Sequence, residues 1–474
     1  MSYSPKTSDN RGRVAVTETL SAAAGRAYAH AVHLIRTGDI SIGMRRLNEA
    51  LVCDPGHMPS RLLLGRVLLH LAQADEALTV FTFVLRKKPH CESALLGQSI
   101  AYARLGRRDE ALETVRHLVR IAPDSWRGFN SLADLTPIEG ERLEALAASQ
   151  AILSRKLCSD RNPGLIEAAA KACITLRRPD LAGCLLDARS GEIPDAATAH
   201  DLRARAAYFA GDYASAFASK VKSLHALTPD HIPAVPIQMK LETGRAENAL
   251  KSLTFLLRES GLIPVPMAGT LLGLYRNGRL LDQDRDVDIG LIPSPGCRAD
   301  PVDLVREHPG LLLERHARRG DRYLPVLWDG ISIDLFRLDR AGEYFSFGFS
   351  DRPGDVQWRI PVFQSGPEDE RGLSSLSPDT ASACLRALYG PAWRVPDPYF
   401  ASVVQSPALW NVALHVRAYY AAHRARAALL QADPIKARAL LARAPLPIPL
   451  DQARHPDLWT AGDASRTPFQ PYTS

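Results

Sequence analysis

Apolar residues in the first half of the chain recur at the spacing of an amphipathic helix. Leu63, Leu64, Val67 and Leu68 would lie on one side of such a helix. An apolar helix face needs a partner that shields it from water. The pattern therefore predicts helices packed against one another over residues 24–258.

Small residues and prolines in this region repeat with a period of 34 residues. The repeating sets are Pro55, Pro89 and Pro123; Gly38, Ala72 and Gly106; and Gly43, Ala77 and Ala111. This period resembles the tetratricopeptide repeat, in which small residues let two helices cross closely and a proline follows the second helix. We predict about seven helical hairpins, with irregular packing around 126–165. A plain helical bundle is the alternative.

Tetratricopeptide-type arrays form concave surfaces that bind peptides or partner domains. We therefore expect the repeats to bind a protein partner, and we expect no catalysis from them.

The pattern changes near residue 262. Residues 261–268 are apolar and read as a short buried strand. The next segment, GTLLGLYRNG at 269–278, predicts a turn followed by a helix. We expect Thr270 to cap that helix and Gly269 to bring backbone N–H groups close to an anion, since helix N-termini bind phosphate.

Three aspartates then alternate with other residues in the segment 284–291. Because side chains alternate between the two faces of a strand, Asp284, Asp286 and Asp288 should all lie on one face. Three carboxylates on one face repel one another unless a cation lies between them. Carboxylate oxygens suit Mg²⁺ or Mn²⁺, ions that bind substrate phosphates. A solvated acidic loop is the alternative.

A further strand, predicted in the segment 328–338, carries Asp334 between Ile333 and Leu335. Together with the acidic strand it could hold one or two metal ions, which would stabilise a phosphoryl centre and its leaving group.

The motifs GTLLGLYR at 269–276, DVDIG at 286–290, IDLF at 333–336 and LRALYGPAWRVP at 385–396 resemble the LicD/fukutin family. The resemblance covers about residues 250–400. It implies a nucleotidyltransferase-like fold and an enzyme that transfers a phosphorylated alcohol from a CDP-linked donor to a hydroxyl of a cell-surface glycan.

The same resemblance implies roles for individual residues. Asp286 and Asp288 would bind Mg²⁺ or Mn²⁺, and Asp334 would either bind metal or activate the acceptor. Gly269 and Thr270 would contact the donor phosphate, as would Arg276, whose guanidinium can bind phosphate through two hydrogen bonds.

One motif departs from the choline-transferring members. Those proteins commonly have WDDD where this chain has QDRD at 283–286, which is closer to the fukutin pattern. We expect Arg285 to point away from the carboxylates, and we leave the transferred alcohol open.

Other functions remain compatible with the sequence. The same carboxylates would serve a nucleotidyltransferase that moves the nucleotide itself to a small molecule or protein. A glycosyltransferase with an Asp-x-Asp metal site would not need the Gly-Thr helix or the third aspartate. A tetratricopeptide scaffold with a decayed transferase domain is the non-enzymatic alternative.

Length, composition and charge narrow the class of protein. The 474 residues suffice for about three domains, with 46% hydrophobic and 23% charged residues, as in globular proteins. A net charge of +6 falls short of the basic patch of a nucleic-acid binder. No apolar stretch predicts a membrane span or a signal peptide. Seven irregularly spaced cysteines favour a reducing compartment. We expect a cytoplasmic protein, either free or peripheral at the inner face of the membrane.

The predicted organisation is therefore multi-domain: an all-α tetratricopeptide-type solenoid followed by an α/β (α+β) nucleotidyltransferase-like domain. Its boundaries are a flexible N-terminus at 1–23, repeats at 24–258, the catalytic domain at 259–400, C-terminal helices at 401–444 and a flexible tail at 445–474. The C-terminal helices should pack on the catalytic domain or extend the solenoid. The basic run at 315–322 reads as a solvated loop or as a phosphate-binding rim.

Overall fold

The computed structural model describes residues 9–232, 243–281, 284–308, 310–328 and 330–449. The chain divides into two compact units, Met1–Ser149 and Gln150–Ser474. Its helices are α1 (Asp9–Arg36), α2 (Ile40–Cys53), α3 (Met58–His70), α4 (Ala74–Lys87), α5 (Glu92–Arg104), α6 (Arg108–Ile121), α7 (Trp126–Leu135), α8 (Glu139–Leu157), α9 (Pro163–Thr175), α10 (Pro179–Arg189), α11 (Ala196–Ala210), α12 (Tyr213–His225), α13 (Thr243–Glu259), α14 (Ala268–Asn277), α15 (Pro301–Glu307), α16 (Pro378–Tyr389), α17 (Ser402–Gln405), α18 (Leu414–Leu429) and α19 (Pro434–Ala442). Over the described ranges, none of these helices is long and apolar enough to cross a membrane.

The strands all lie after the repeat region. They are β1 (Leu262–Pro266), β2 (Asp286–Pro293), β3 (Leu311–Leu313), β4 (Tyr323–Trp328), β5 (Ile331–Arg337), β6 (Asp339–Ala341), β7 (Tyr344–Gly348) and β8 (Gln357–Pro361).

The first unit consists of helical hairpins, and its repeat period has a direct structural cause. Each repeated proline lies two residues beyond the last residue of a hairpin's second helix, in the loop after α2, α4 and α6. Gly38, Ala72 and Gly106 lie between the two helices of a hairpin. Their φ angles are all positive, at 95°, 60° and 72° respectively. The predicted array of tetratricopeptide-type hairpins is therefore confirmed.

Close helix crossing in this unit depends on glycines, which have no side chain. Phe81 of α4 is fully buried. A Cβ added at Gly65 or at Gly97 would lie 2.6 Å or 2.3 Å from the Phe81 ring. Because no real Cβ approaches an atom that closely, these glycines create the space that the aromatic ring fills.

Two boundaries of the predicted repeat region need correction. Helix α1 already begins at Asp9, inside the segment predicted to be a flexible terminus, while residues 1–8 lie outside the described part. Helices α7 and α8 have 10 and 19 residues instead of the usual 13 or 14, in the region where irregular packing was predicted.

The last predicted repeat helix, α13, belongs to the α/β domain. Its buried residues Leu250, Leu253 and Leu257 share one hydrophobic core with Val287 and Ile333 of the sheet. The helical spacing of its apolar residues was interpreted correctly, but the apolar face packs on a sheet and not on a neighbouring hairpin. The α/β domain therefore begins by Thr243, and α1 to α12 form six hairpins among the described residues, where about seven were predicted before residue 258.

The main sheet of the domain has five strands in the order β1-β2-β5-β4-β3. Strands β2 and β5 are parallel neighbours, and every other pair is antiparallel. A second, antiparallel sheet has the order β6-β7-β8. The later region is thus an α/β domain with a mixed sheet.

The two faces of the main sheet pack against different layers. Val287, Ile289 and Leu291 lie on the face that packs with α13 and α15. On the opposite face, Phe336 and Leu338 pack with α14, α16 and the second sheet. This alternation leaves the side chains of Asp286, Asp288 and Asp334 on the second face, as predicted for a half-buried strand.

The C-terminal helices form a hairpin that packs on the last repeat. Helix α18 lies along α12, the second helix of the α11–α12 hairpin, and along its own partner α19. The α/β domain is therefore inserted between two successive helical hairpins. The C-terminal helices were predicted either to extend the helical repeats or to pack on the α/β domain, and they do both. Helix α18 contacts the α/β domain through the rings of Tyr420 and Phe349.

Helix α18 begins only at Leu414, because the segment before it bonds to the second sheet: Trp410 N donates to Gln357 O and Arg359 N donates to Ala408 O. The predicted tail also starts in contact with the fold, because Ile448 packs on the core. Residues 450–474 lie outside the described part.

The basic run at 315–322 joins the α/β domain to the helical hairpins of the same unit. Arg318 Nη2 donates to Thr175 O, and Arg322 is 6% exposed and forms ion pairs with Asp339 and Asp351. Both predicted roles, solvated loop and phosphate rim, are therefore wrong for these two arginines.

Candidate active site

The site is built around Asp288 at the start of β2. The Gly269 N–H donates to Asp288 Oδ2 at 2.9 Å, and the Asp288 N–H donates to Thr270 Oγ1 at 2.9 Å. Met267 N also donates to the Asp288 carbonyl at 3.1 Å. The first turn of α14 thus fixes both the backbone and the carboxylate of Asp288.

These bonds change the predicted roles of the Gly-Thr motif. The residue that precedes α14 is Met267, and no side chain caps the helix. Thr270 is 2% exposed, and its hydroxyl faces β2. The predicted capping by Thr270 is therefore wrong, and Gly269 and Thr270 position Asp288. Their contact with a donor phosphate stays a prediction.

Gly269 is required by the close approach of two carboxylates. A Cβ at this position would lie 2.2 Å from Asp284 Oδ2 and 3.2 Å from Asp288 Oδ2. Only glycine leaves room for both oxygens, which explains this residue beside an acidic strand.

Asp334 joins the acidic pair from the neighbouring strand. In the parallel ladder of β2 and β5, the Cα of Asp334 is registered directly with the Cα of Asp288, and Asp286 is registered with Ser332. The structure therefore brings together the three aspartates predicted to carry the chemistry, with Asp284 beside them.

All four carboxylates hold their protons more strongly than ordinary aspartates. Burial and the Asp286 charge raise the pKa of Asp284 to about 6 and that of Asp334 to about 7. Burial raises the pKa of Asp286, and burial together with the charges of Asp286, Asp334 and Asp284 raises that of Asp288 well above its usual range. Among the described residues, none of these carboxylates forms an ion pair, and the nearby charges of Arg424 and Arg285 offset the repulsion only in part. The site is therefore a cluster of mutually repelling carboxylates.

Tyr323 on β4 is a site residue that the sequence did not indicate. Its hydroxyl donates to Asp334 Oδ1 at 3.1 Å and lowers the pKa of that carboxyl, against the larger effect of burial. Its ring packs on Phe336 with centroids 5.1 Å apart. Tyr323 therefore orients the Asp334 carboxylate.

Tyr389 reaches the site from the end of α16. Burial first, and then the charges of Asp288 and Asp284, raise its pKa well above the usual range. Tyr389 belongs to the segment LRALYGPAWRVP at 385–396, so this segment contributes a residue that senses the charges of the carboxylates. Arg276 lies close enough to Tyr389 to affect its pKa, while its Nε donates to Asn277 Oδ1. Phosphate binding by Arg276 stays a prediction.

A positive group faces the carboxylates from α18. The charge of Arg424 lowers the pKa of Asp284, Asp286 and Asp334. Arg285 is exposed and bonds to Gln431 Oε1 and not to a carboxylate, while its charge also lowers the pKa of Asp284 and Asp286. No sequence motif near residue 424 marks it, because only the packing of α18 brings it to the sheet.

The oxygen donors of the cluster fit a hard divalent cation in their chemistry. Over the described part of the chain, no group of three or more His, Cys, Asp or Glu side chains is arranged around one point that could hold an ion. Mg²⁺ in phosphoryl-transfer sites commonly takes one or two carboxylates and completes its shell with water and substrate phosphate. Binding of Mg²⁺ or Mn²⁺ by Asp286 and Asp288 stays a prediction.

The raised pKa values predict how the stability of the metal-free protein depends on pH. Aspartates in the unfolded chain lose their protons near pH 3.9, whereas Asp334 in the folded protein keeps its proton up to about pH 7. Between these values the folded state binds more protons, so the free energy of unfolding should fall as pH rises from about 4 to about 7. Thermal unfolding of wild type and Asp334→Asn across this range checks the sign.

Mn²⁺ should offset this loss above pH 7 and do little at pH 5, where the carboxylates are protonated. The interpretation is contradicted when the Asp334→Asn variant shows the same pH slope as wild type, or when Mn²⁺ stabilises the protein equally at both pH values.

Comparisons with known proteins show similarity to helical-repeat structures. A thermophilic tetratricopeptide repeat protein from Thermus thermophilus is 20% identical, with a TM-score of 0.32, over 40% of this chain and 99% of its own. A tetratricopeptide repeat protein from Parabacteroides merdae is 16% identical, with a TM-score of 0.32, over 47% of this chain and 89% of its own. The type IV pilus biogenesis factor PilW is 16% identical, with a TM-score of 0.32, over 42% of this chain and 91% of its own. No known protein family and no curated protein matches the chain.

Proposed function

We propose that this protein is a metal-dependent transferase of the LicD/fukutin type. It would move a phosphoryl-linked group, similar to phosphocholine or a polyol phosphate, from a CDP-activated donor to a hydroxyl of a cell-surface glycan. The observation that carries the proposal is the placement of Asp286, Asp288 and Asp334 on adjacent parallel strands, half-buried and without an ion pair among the described residues.

Burying several like charges together costs free energy, and a protein retains such a cluster where a cation or proton transfer uses it. Asp286 and Asp288 would hold Mg²⁺ or Mn²⁺, which supplies charge stabilisation to the oxygens of the transferred phosphoryl group. Gly269 and Thr270 fix Asp288 before substrate arrives. This preorganisation favours catalysis, because less reorganisation is needed during the reaction.

Asp334 is suited to accept the proton of the acceptor hydroxyl. Its pKa of about 7 matches the range in which a general base is most effective at neutral pH. The hydroxyl oxygen would form a bond to phosphorus as its proton passes to Asp334. The bond from that phosphorus to the CMP oxygen would break, and CMP would leave with the electron pair. Tyr323 would hold the carboxylate in position. Asp334 as a further metal ligand is the other possibility.

Two other functions compete with this one. A nucleotidyltransferase would use the same carboxylates to attach the nucleotide itself to an acceptor. A non-catalytic tetratricopeptide scaffold with a decayed transferase domain would bind its protein partner through the repeats and bind no nucleotide. The helical hairpins of the first unit favour a protein partner in each of the three cases.

A panel of nucleotides separates the three functions. Thermal shifts would be measured with CDP, CTP, UDP, GDP and ADP, each with and without Mn²⁺. We expect CDP with Mn²⁺ to give the largest rise in Tm. A preference for another nucleotide, or for CTP over CDP, favours the nucleotidyltransferase. The absence of stabilisation by every nucleotide contradicts both enzymes and favours the scaffold.

A further inference from the structure

A second group of charges has the opposite sign, and two of its members, Arg285 and Arg424, act on Asp284 and Asp286 of the acidic cluster. The group consists of Arg285, which precedes β2, Arg424 on α18 and Lys436 in the first turn of α19. Two of the three come from the C-terminal hairpin, which is separate in sequence from the motifs of the α/β domain. This group is called the cationic cluster below.

Contacts on two sides fix the position of α18 relative to the carboxylates. Tyr420 packs on Phe349 with ring centroids 5.8 Å apart, and Phe349 packs on Tyr323 at 4.9 Å. Tyr323 in turn donates to Asp334. Arg424 lies one helical turn after Tyr420 and therefore on the same face of α18. This face is the one that α18 presents to the active-site strands.

The other end of the hairpin is tied to β2. Arg285 Nη2 donates to Gln431 Oε1, in the short loop between α18 and α19. Arg424 thus lies between two points of attachment, the Tyr420 ring and the Gln431 amide. Its approach to the carboxylates is a consequence of the tertiary packing of the hairpin.

The three cations repel one another. Burial, and then the charge of Arg285, lowers the pKa of Lys436, and Arg424 adds to this effect. Arg285 bonds to the neutral side chain of Gln431, and the charge of Arg424 acts on the aspartates of the acidic cluster. Asp433 partly offsets the charge of Lys436. Positive charges held together in this way are suited to bind an anion, since the anion removes their mutual repulsion.

We infer that the cationic cluster binds the diphosphate of the nucleotide donor. The inference rests on the proposed function for the identity of the anion. Arginine binds phosphate oxygens through two parallel hydrogen bonds, and lysine adds a point charge. The donor would then lie between two groups of side chains. The carboxylates would hold a divalent metal ion, and the basic side chains would bind the phosphate oxygens. The C-terminal hairpin is therefore part of the active site.

The test uses inorganic pyrophosphate as the probe and the full chain as the protein. Calorimetric titrations with and without Mn²⁺ would compare wild type, Arg424→Gln, Arg424→Lys and Lys436→Gln. The matched control is Arg438→Gln, an exposed arginine two residues beyond Lys436 on the same helix. Loss of one charged hydrogen-bonding partner should weaken binding about 10-fold to 100-fold. Arg424→Lys should recover part of that loss.

Two outcomes overturn the inference. The first is that wild type binds no pyrophosphate, either with or without Mn²⁺. The second is that Arg424→Gln binds pyrophosphate as tightly as Arg438→Gln does. Thermal unfolding of each variant confirms that the fold is retained, and Lys436→Gln provides a second test if Arg424→Gln does not fold.

The same variants distinguish failure of this inference from failure of the proposed function. CDP binding with Mn²⁺ that is unchanged in Arg424→Gln supports the transferase and contradicts the cationic cluster. Pyrophosphate binding that depends on Arg424, without a preference for cytidine nucleotides, supports the cluster and contradicts the CDP-dependent transferase.

Discussion

Asp288→Asn is expected to abolish stabilisation by CDP and Mn²⁺ and to raise the Tm of the metal-free protein. The amide keeps the shape of the side chain and still accepts a hydrogen bond from the Gly269 N–H. The fold should therefore persist. The loss of one carboxylate charge removes repulsion with Asp286, Asp334 and Asp284, which explains the higher Tm without metal.

The lost charge is also the one that the cation requires. Affinity for a divalent ion depends strongly on the number of charged ligands, so binding of CDP with Mn²⁺ should weaken about 100-fold or more. Calorimetric titration and thermal unfolding measure the two effects on the same sample. Glu343→Gln, in an exposed turn of the second sheet, is the control and should change neither.

A result in which Asp288→Asn binds CDP and Mn²⁺ as wild type does would remove this carboxylate from the metal site. A lower metal-free Tm would instead show that the Gly269 and Thr270 contacts require the charged side chain, and it would contradict the predicted repulsion.

Lys220→Ala is expected to cause a large loss of stability in the second unit. Lys220 of α12 is fully buried, and its Nζ forms an ion pair with Asp201 Oδ1 of α11 at 2.5 Å. The ammonium also lies 3.4 Å from His423 Nδ1 and 5.0 Å from the centre of the Tyr419 ring, both on α18. The pair thus joins the last repeat to the C-terminal hairpin.

Removing the lysine leaves the Asp201 carboxylate poorly solvated, and breaking a buried pair in this way costs about 3–5 kcal/mol. Arg426 Nε lies 3.9 Å from the same carboxylate oxygen and can offset part of the cost, which places the expected value near the lower end. The corresponding fall in Tm is about 6–12 °C. Differential scanning calorimetry measures it.

The chain offers an exposed ion pair as a matched control. Lys171 pairs with Glu167 at 3.3 Å, and their side chains are 50% and 31% exposed. Lys171→Ala should cost no more than about 1 kcal/mol, because solvent screens exposed pairs. Replacing both Lys220 and Asp201 by Met and Leu should recover most of the loss. Equal effects of Lys220→Ala and Lys171→Ala would contradict this account.

Local signals in the sequence were sufficient for several features. The 34-residue period predicted the hairpins, because positive-φ turn residues and terminal prolines recur at fixed places in a repeat. The alternation of aspartates with Val287 and Ile289 predicted which side chains share a face of β2. Asp334 was found in the same way, since a lone carboxylate between Ile333 and Leu335 is conspicuous in a buried strand.

Other features left no local signal. The apolar face of α13 has the same period whether it packs on a hairpin or on a sheet, so its assignment to the repeats was wrong. Thr270 precedes an apolar helical segment as a capping residue would. Only the structure shows that its hydroxyl bonds to Asp288 N.

The sequence by itself determined the elements, the repeat and the acidic strand, because these depend on spacing along the chain. The tertiary structure decided which distant residues meet. Arg424 and Tyr323 reach the carboxylates only because α18 packs along α12 and because β4 pairs with β5. Contacts between residues far apart in sequence arise from packing of complementary surfaces, and a single sequence does not encode them at any fixed spacing.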